Sequence, residues 1–184
     1  LIVGESGTGK EVLARAVHAG SRRRARPFIA IAAPNLDGDL VDARLFGHEA
    51  GAFTGAPGRR CGLLEAASGG TFFLDEGQDA SPDLQRKLLR VLESREVLRV
   101  GATQPIAVDF RLIVAMSVDP RALLASRALS EAFYYRIRGV RLTLPPLRER
   151  CEDIPALAIH FAAKLATEEG VSPAGVTAEA LAEF

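Results

Sequence analysis

Short apolar runs alternate with amphipathic stretches along the chain. Leu1-Ile2-Val3, Phe28–Ala32, Thr71–Leu74 and Leu112–Ala115 are apolar segments of strand length, bounded by turn formers or charges. Such runs predict short strands buried in a sheet. Between them the period changes. Val12, Leu13, Ala16 and Val17 share one helical face, and that helix is expected to end near Gly20. Leu40–Phe46 predicts a short helix, and Cys61–Ala67 a further helical segment stopping at Gly69-Gly70. Ser81-Pro82 reads as an N-cap followed by proline at the first helical position, with Leu84, Leu88, Leu89 and Leu92 as the apolar face. Val97–Val100 and Ile106–Phe110 are expected to pair as a hairpin across Gly101. Strands alternating with helices argue for an α/β fold, a parallel sheet with helices on both faces. Pro145-Pro146 interrupts the chain, and Asp153 then caps a final helix that runs through Leu165 and ends at Gly170. The expected division is therefore an α/β core at 1–146 and the beginning of a helical lid at 147–184. The chain opens inside a strand pattern and stops inside a helical one, which reads as a piece of a longer protein.

The first apolar run leads into Gly4-Glu5-Ser6-Gly7-Thr8-Gly9-Lys10-Glu11. Strand, glycine-rich loop and helix start in that order make an anion site. Glycines let the backbone close around phosphates, and loop N–H groups together with the helix N-terminus point at the charge. Lys10 stands where the G-x-x-x-x-G-K spacing of a phosphate-binding loop requires it, to neutralise the β and γ phosphates. The next residue is Glu11, so the usual hydroxyl ligand for magnesium is missing there. Farther on, Phe72-Phe73-Leu74 runs into Asp75-Glu76. Carboxylates at the carboxyl end of a buried strand lie where open α/β sheets bind ligands. Asp75 is the candidate for holding Mg²⁺ through water, and Glu76 for polarising the water that attacks a γ phosphate.

Gly51-Ala52-Phe53-Thr54-Gly55-Ala56 fits neither period. Two glycines make it too permissive for a stable helix or strand. It reads either as an exposed loop carrying an aromatic contact residue or as a tight turn that tucks Phe53 into the core.

Composition narrows the class. The chain has 184 residues, 48% hydrophobic and 25% charged, enough for one good core and a small subdomain. A net charge of zero provides no global basic field for nucleic acid. The local clusters Arg22-Arg23-Arg24 with Arg26, and Arg59-Arg60, read as solvated loop charges. Cys61 and Cys151 lack metal-ligand spacing and read as reduced thiols of a cytoplasmic protein. No apolar stretch has the length of a membrane span, so no membrane association is expected.

Taken together, Gly4–Glu11, Leu45-Phe46-Gly47-His48-Glu49, the Gly51–Ala56 hexapeptide and Phe73-Leu74-Asp75-Glu76 resemble the bacterial enhancer-binding proteins, AAA+ ATPases that activate sigma-54 RNA polymerase. Leu88-Leu89-Arg90-Val91-Leu92, Tyr134-Tyr135-Arg136 and Leu144–Arg150 extend the likeness over nearly the whole chain. In that family a glutamate also follows the phosphate-loop lysine. The resemblance implies a ring, expected to be a hexamer, that binds and hydrolyses ATP between subunits. It implies that Gly51, Ala52, Phe53, Thr54, Gly55 and Ala56 meet sigma-54 RNA polymerase, and that Arg136 acts on the nucleotide of a neighbouring subunit. DNA binding would belong to a domain outside this chain.

Some positions depart from the family's pattern. An asparagine that restrains the catalytic glutamate is replaced by Ala32, with Asn35 three residues on. A sensor Thr-Asn pair is replaced by Met116-Ser117, the first of two trans-acting arginines by Ser130, and a nearby aspartate by Ala132. Two functions follow: an ATPase that remodels sigma-54 polymerase, or a nucleotide-binding regulator that contacts sigma-54 with weak or no hydrolysis.

Overall fold

The computed structural model describes residues 1–36, 40–56, 58–172 and 175. In chain order its elements are β1 (Ile2–Val3), α1 (Lys10–Ala19), β2 (Phe28–Ala32), α2 (Val41–Phe46), β3 (Gly47–His48), β4 (Arg60–Cys61), α3 (Leu63–Ala66), β5 (Thr71–Asp75), α4 (Pro82–Ser94), β6 (Glu96–Val97), β7 (Ile106–Ala107), β8 (Arg111–Met116), α5 (Pro120–Ala125), α6 (Glu131–Ile137), β9 (Leu142–Thr143) and α7 (Ile154–Glu169). Five strands form one sheet in the order β2-β5-β8-β1-β9, every neighbouring pair parallel.

Strand alternation explains the layering. Val3, Phe72, Leu74, Val114 and Met116 face one buried cluster, shared with Leu84, Leu88 and Leu92 of α4 and Phe133 and Ile137 of α6. Their neighbours Ile2, Phe73, Ile113 and Ala115 face the other, packed by Ala14, Leu13 and Val17 of α1. Because both faces are covered, the strands read as continuous apolar runs.

Several segments differ from their sequence expectation: Val12 and Ala16 of α1 are exposed while Ala14 is buried, and Asp153 precedes α7 without a side-chain cap hydrogen bond. Cys61 is in β4, paired antiparallel with β3 (Gly47↔Cys61, His48↔Arg60), and the helix starts only at Leu63. Gly62 separates them. A Cβ there would lie 2.2 Å from the Phe46 carbonyl carbon, so the backbones meet too closely for any side chain or for helical continuation. The expected hairpin across Gly101 forms, but shorter: Glu96 pairs with Ala107 and Val97 with Ile106. The Ser81 cap forms, its Oγ accepting from the Leu84 N–H at 3.2 Å.

The chain divides into two compact units, Leu1–Leu144 and Pro145–Phe184. In the second, α7 ends at Gly170, whose φ of 67° lies in the left-handed region. The rest of the expected lid, residues 173–174 and 176–184, is outside the described residues.

Candidate phosphate edge, Arg136 cleft and loop clamp

Parallel strands bring all their carboxyl ends to one edge of the sheet, where the sequence-derived phosphate residues gather. β1 delivers Gly4, whose N–H donates to the Met116 carbonyl at 3.1 Å. A Cβ on Gly4 would lie 2.7 Å from the Leu144 carbonyl oxygen, so only glycine fits there. Gly7 and Gly9 have φ of 81° and 92°, and Gly9 caps α1. Added Cβ atoms at these two would meet nothing within 4 Å, so backbone conformation, not crowding, calls for glycine. The Thr8 hydroxyl donates to the Glu5 carbonyl at 2.8 Å. The Lys10 ammonium donates to the carbonyls of Gly4 and Glu5 at 2.9 and 3.0 Å. The lysine thus lies across the loop, its charge held at the concave side where phosphates would sit. Ser6 and Gly7 are exposed at the tip, and Glu11 forms an ion pair with Arg15 at 2.6 Å.

Two strands away, Asp75 and Glu76 end β5. The Asp75 carboxylate accepts the Glu76 N–H at 2.9 Å, and Glu76 has φ 49°, a left-handed conformation that a non-glycine residue adopts at a cost. This kink turns Glu76 out to an exposed position. Ala32 lies beside Asp75 in register. Its small side chain helps leave a groove of about 300 Å³ lined also by Glu11, Asn35 and Asp75. Asn35 therefore borders the space that Ala32 leaves, although on a different turn. Met116 is fully buried. Ser117 acts there through its backbone, its N–H donating to the Gln78 side-chain oxygen at 3.1 Å, so the turn after Glu76 is tied to the end of β8. Among the described residues no cluster of three His, Cys, Asp or Glu could cage a metal ion. One carboxylate beside a phosphate site suits Mg²⁺, a hard cation usually held by one or two carboxylates and the substrate's phosphates.

Arg136 is not at this edge. With Leu1, Arg111 and Leu142 it lines a cleft of about 270 Å³ at the amino ends of the strands, and its guanidinium donates to the Leu92 carbonyl at 2.5 Å. At about 3.3 Å per residue, the six residues of β8 put the edges roughly 17 Å apart. The structure therefore does not bring Arg136 to Lys10, Asp75 and Glu76 of the same chain. Ser130, which stands in place of the first of the family's two arginines, caps α6 instead.

The hexapeptide leaves β3 and returns through β4. Gly51 N–H donates to the Ala56 carbonyl at 2.9 Å, and Ala56 N–H to the Phe53 carbonyl at 3.1 Å. Gly51 and Gly55 both have positive φ. Phe53 is neither in the core nor free at a tip. It is half-buried, its ring edge-on to His48 with centroids 5.0 Å apart, over a groove of about 560 Å³ shared with Arg44, Arg60, Cys61 and Leu63. His48 is the ring it meets. Phe53→Ala is accordingly expected to lower stability by about 0.5–1.5 kcal/mol, the worth of an aromatic pair, and not the 3–5 kcal/mol of a core phenylalanine; a denaturant melt of the two proteins measures this.

Sequence reasoning missed Arg99. Its side chain is 4% exposed yet carries a full charge. It is bidentate to Glu65 (2.5 and 3.0 Å) and donates to Glu49 at 2.9 Å. Glu49 stands just before the hexapeptide, Glu65 is in α3 just after it, and Arg99 follows β6. One guanidinium thus clamps both roots of the loop to the hairpin. The signal was period 2: Val97 is buried, Leu98 half exposed and Arg99 buried again. The hydrogen bond from Arg99 is the main cause holding the Glu65 carboxyl below its usual range, and Glu65 with Glu49 raises the guanidinium's own pKa further. Burial, then Glu65, pushes the Cys61 thiol up. A carboxyl lowered by folding contributes stability above its unfolded pKa and loses it as pH falls through the folded one. The clamp should therefore hold from neutral pH down to the usual carboxylate value of 4.5 and release below it. Proteolysis or hydrogen exchange of residues 49–60 against pH should show this step in the wild type. In Glu65→Gln it should be absent, the loop being already loosened at neutral pH.

No helix of the described residues is long and apolar enough to cross a membrane. The model of the sigma-54 interaction domain matches residues 1–143. The chain is 50% identical to the C4-dicarboxylate transport transcriptional regulatory protein DctD of Pseudomonas aeruginosa over 186 residues, 99% of this chain and 40% of that protein. It is 51% identical to the Nif-specific regulatory protein of Herbaspirillum seropedicae over 168 residues, covering 91% and 31%. Crystal structures of NtrX from Brucella abortus in complex with ADP and with ATP superpose at a TM-score of 0.86 with 35% identity, over 98% of this chain and 40% and 41% of those. The chain therefore spans well under half the length of these relatives.

Proposed function

Because the chain belongs to the sigma-54 interaction domain family and has a P-loop nucleotide-binding fold, we propose that it hydrolyses ATP between the subunits of a ring, expected to be a hexamer, and uses that cycle to remodel sigma-54 RNA polymerase in the cytoplasm. The observation that carries this reading is the separation of the two edges. The residues that would hold and cleave ATP lie at the carboxyl ends of the strands, and the arginine that would complete the site lies at the amino ends. One subunit has both halves and can join them only with a neighbour.

In this reading the loop N–H groups and Lys10 hold the phosphates, Asp75 holds Mg²⁺ and Glu76 takes the proton of the attacking water. Bound Mg²⁺ supplies charge neutralisation on the phosphate oxygens. The neighbour's Arg136 leaves its own Leu92 carbonyl to meet the charge that develops in the transition state. The strained φ of Glu76 and the bond from the Ser117 N–H to Gln78 make the turn after β5 a junction that senses the phosphates. The Arg99 clamp joins the loop to α3, whose chain continues into β5, giving a short mechanical route from the acids to Phe53. The face that meets sigma-54 is read as Gly51–Ala56, and residues 147–184 as the start of a lid. ATP bound to a relative of the same fold supports the nucleotide assignment. The alternative, a sigma-54-contacting regulator without turnover, draws support from Ala32 and Ser130.

Mixing two inactive proteins separates them. Lys10→Ala should not bind ATP but keeps Arg136. Arg136→Ala binds ATP but offers no arginine. Turnover should reappear on mixing and rise faster than linearly with protein concentration. A silent mixture beside an active wild type would overturn the intersubunit site, and a wild type as silent as the mixture would leave only the non-hydrolysing reading.

A further inference from the structure

Gln85 is a polar residue in the apolar stripe of α4, 1% exposed, and both ends of its amide are engaged. Its Nε2 donates to the carbonyls of Ala80 and Ala128, each at 2.8 Å, and its Oε1 accepts the Ser130 N–H at 2.8 Å. These partners belong to two functional segments. Ala80 closes the turn that begins with Asp75 and Glu76. Ala128 and Ser130 lead into α6, which Ser130 caps. Seven residues along α4 from Gln85, the Leu92 carbonyl receives the Arg136 guanidinium from that same α6. A leucine would fill this place at no desolvation cost. A buried amide with three good hydrogen bonds instead fixes two backbone segments in one relative geometry.

We propose that Gln85 is a positioning residue for hydrolysis at the neighbouring subunit. It holds the acidic turn and the start of α6 in register, and so sets where Arg136 stands when α6 is presented across the interface. This rests on the reading above that Arg136 acts in trans. The amide touches neither nucleotide nor water; it acts through α6. Its loss should appear in the turnover of the neighbour's site while the subunit's own affinity for ATP stays unchanged.

The test uses donor and acceptor subunits in the assembled protein. The acceptor is Arg136→Ala. Donors are Lys10→Ala alone and Lys10→Ala with Gln85→Leu, which keeps the bulk and removes all three hydrogen bonds. The plain donor should restore turnover, and the Gln85→Leu donor should restore on the order of 100-fold less, as for a reacting group misplaced by about an ångström. Unchanged ATP binding by the single variant Gln85→Leu, with unchanged assembly size by light scattering, shows that it is folded. Should that variant not fold, Ser130→Pro takes its place. Ser130 has φ −67°, which proline adopts without strain, so the change removes the N–H that meets Gln85, with Ser130→Ala as the control for the hydroxyl. Equal rescue by donors with and without the Gln85 change overturns the proposal. No rescue by the plain donor overturns the intersubunit reading, and the proposal with it.

Discussion

Arg136→Ala should leave ATP binding intact and lower turnover by about 10³–10⁵, the effect of removing an arginine that stabilises transition-state charge. The guanidinium is about a sheet's width from the Lys10 end of its own subunit, so binding in cis does not involve it. Its hydrogen bond to the Leu92 carbonyl is with an exposed side chain, so stability should change by no more than about 0.5 kcal/mol. Arg136→Lys should rescue little, because an ammonium lacks the planar fork that spans two phosphate oxygens. Steady-state turnover and labelled-ATP titration on the same preparations check both arms. If binding fell together with turnover, the arginine would be supporting the fold or the nucleotide's ground state instead.

Glu76→Gln should behave differently. The amide fills the same place and keeps the kinked turn, but cannot accept the proton of the attacking water. Turnover should fall by about 10²–10⁴ with ATP affinity retained, and the protein should accumulate in its ATP-bound form. Mixing with Arg136→Ala separates the two lesions. Glu76→Gln subunits still offer a good arginine and should rescue Arg136→Ala sites, whereas their own sites stay silent whatever the neighbour. A Glu76→Gln protein with full turnover would move the base to another group at the same sheet edge.

The central strands and the phosphate loop were legible because their physics is local. Phe72-Phe73-Leu74 is apolar throughout because both sheet faces are covered, and Gly7 and Gly9 mark positive φ. Asp75 and Glu76 were legible as acids closing an apolar strand, and Gly51–Ala56 as a glycine-bounded loop; the resemblance added Arg136 and the sigma-54 contact as expectations. Other features depend on partners distant in the chain. Leu142–Thr143 is too short for any period and is a strand only because β1 lies beside it. Gln85 reads as one polar residue on an amphipathic helix until the turns at Ala80 and Ala128 are seen to converge on it. Arg99 falls in the expected strand Val97–Val100 but is buried on the same side as apolar Val97, paired with glutamates 34 and 50 residues away. Cys61 was assigned to a helix because nothing local shows how closely Gly62 approaches Phe46. Asp119 and Ser130 do carry helix-cap chemistry, their side chains accepting from Arg121 and Phe133 N–H groups; α5 and α6 were missed because each is only about two turns long.

The sheet order also bears on synthesis. The strand that leads into the phosphate loop is made before the strands it pairs with, β8 (Ile2↔Ala115) and β9 (Ile2↔Leu142), and Gly4 packs on Leu144. On a translating ribosome Leu1–Lys10 must wait for about 110 residues before β8 emerges and about 140 before β9 does. Until then the loop has no β-strand to shape it. A nascent chain stalled before residue 110 should not be retained on immobilised ATP, and one with residue 144 outside the exit tunnel should be. Nucleotide would then act as a late ligand of the maturing polypeptide, able to stabilise the sheet only once its last strand has docked.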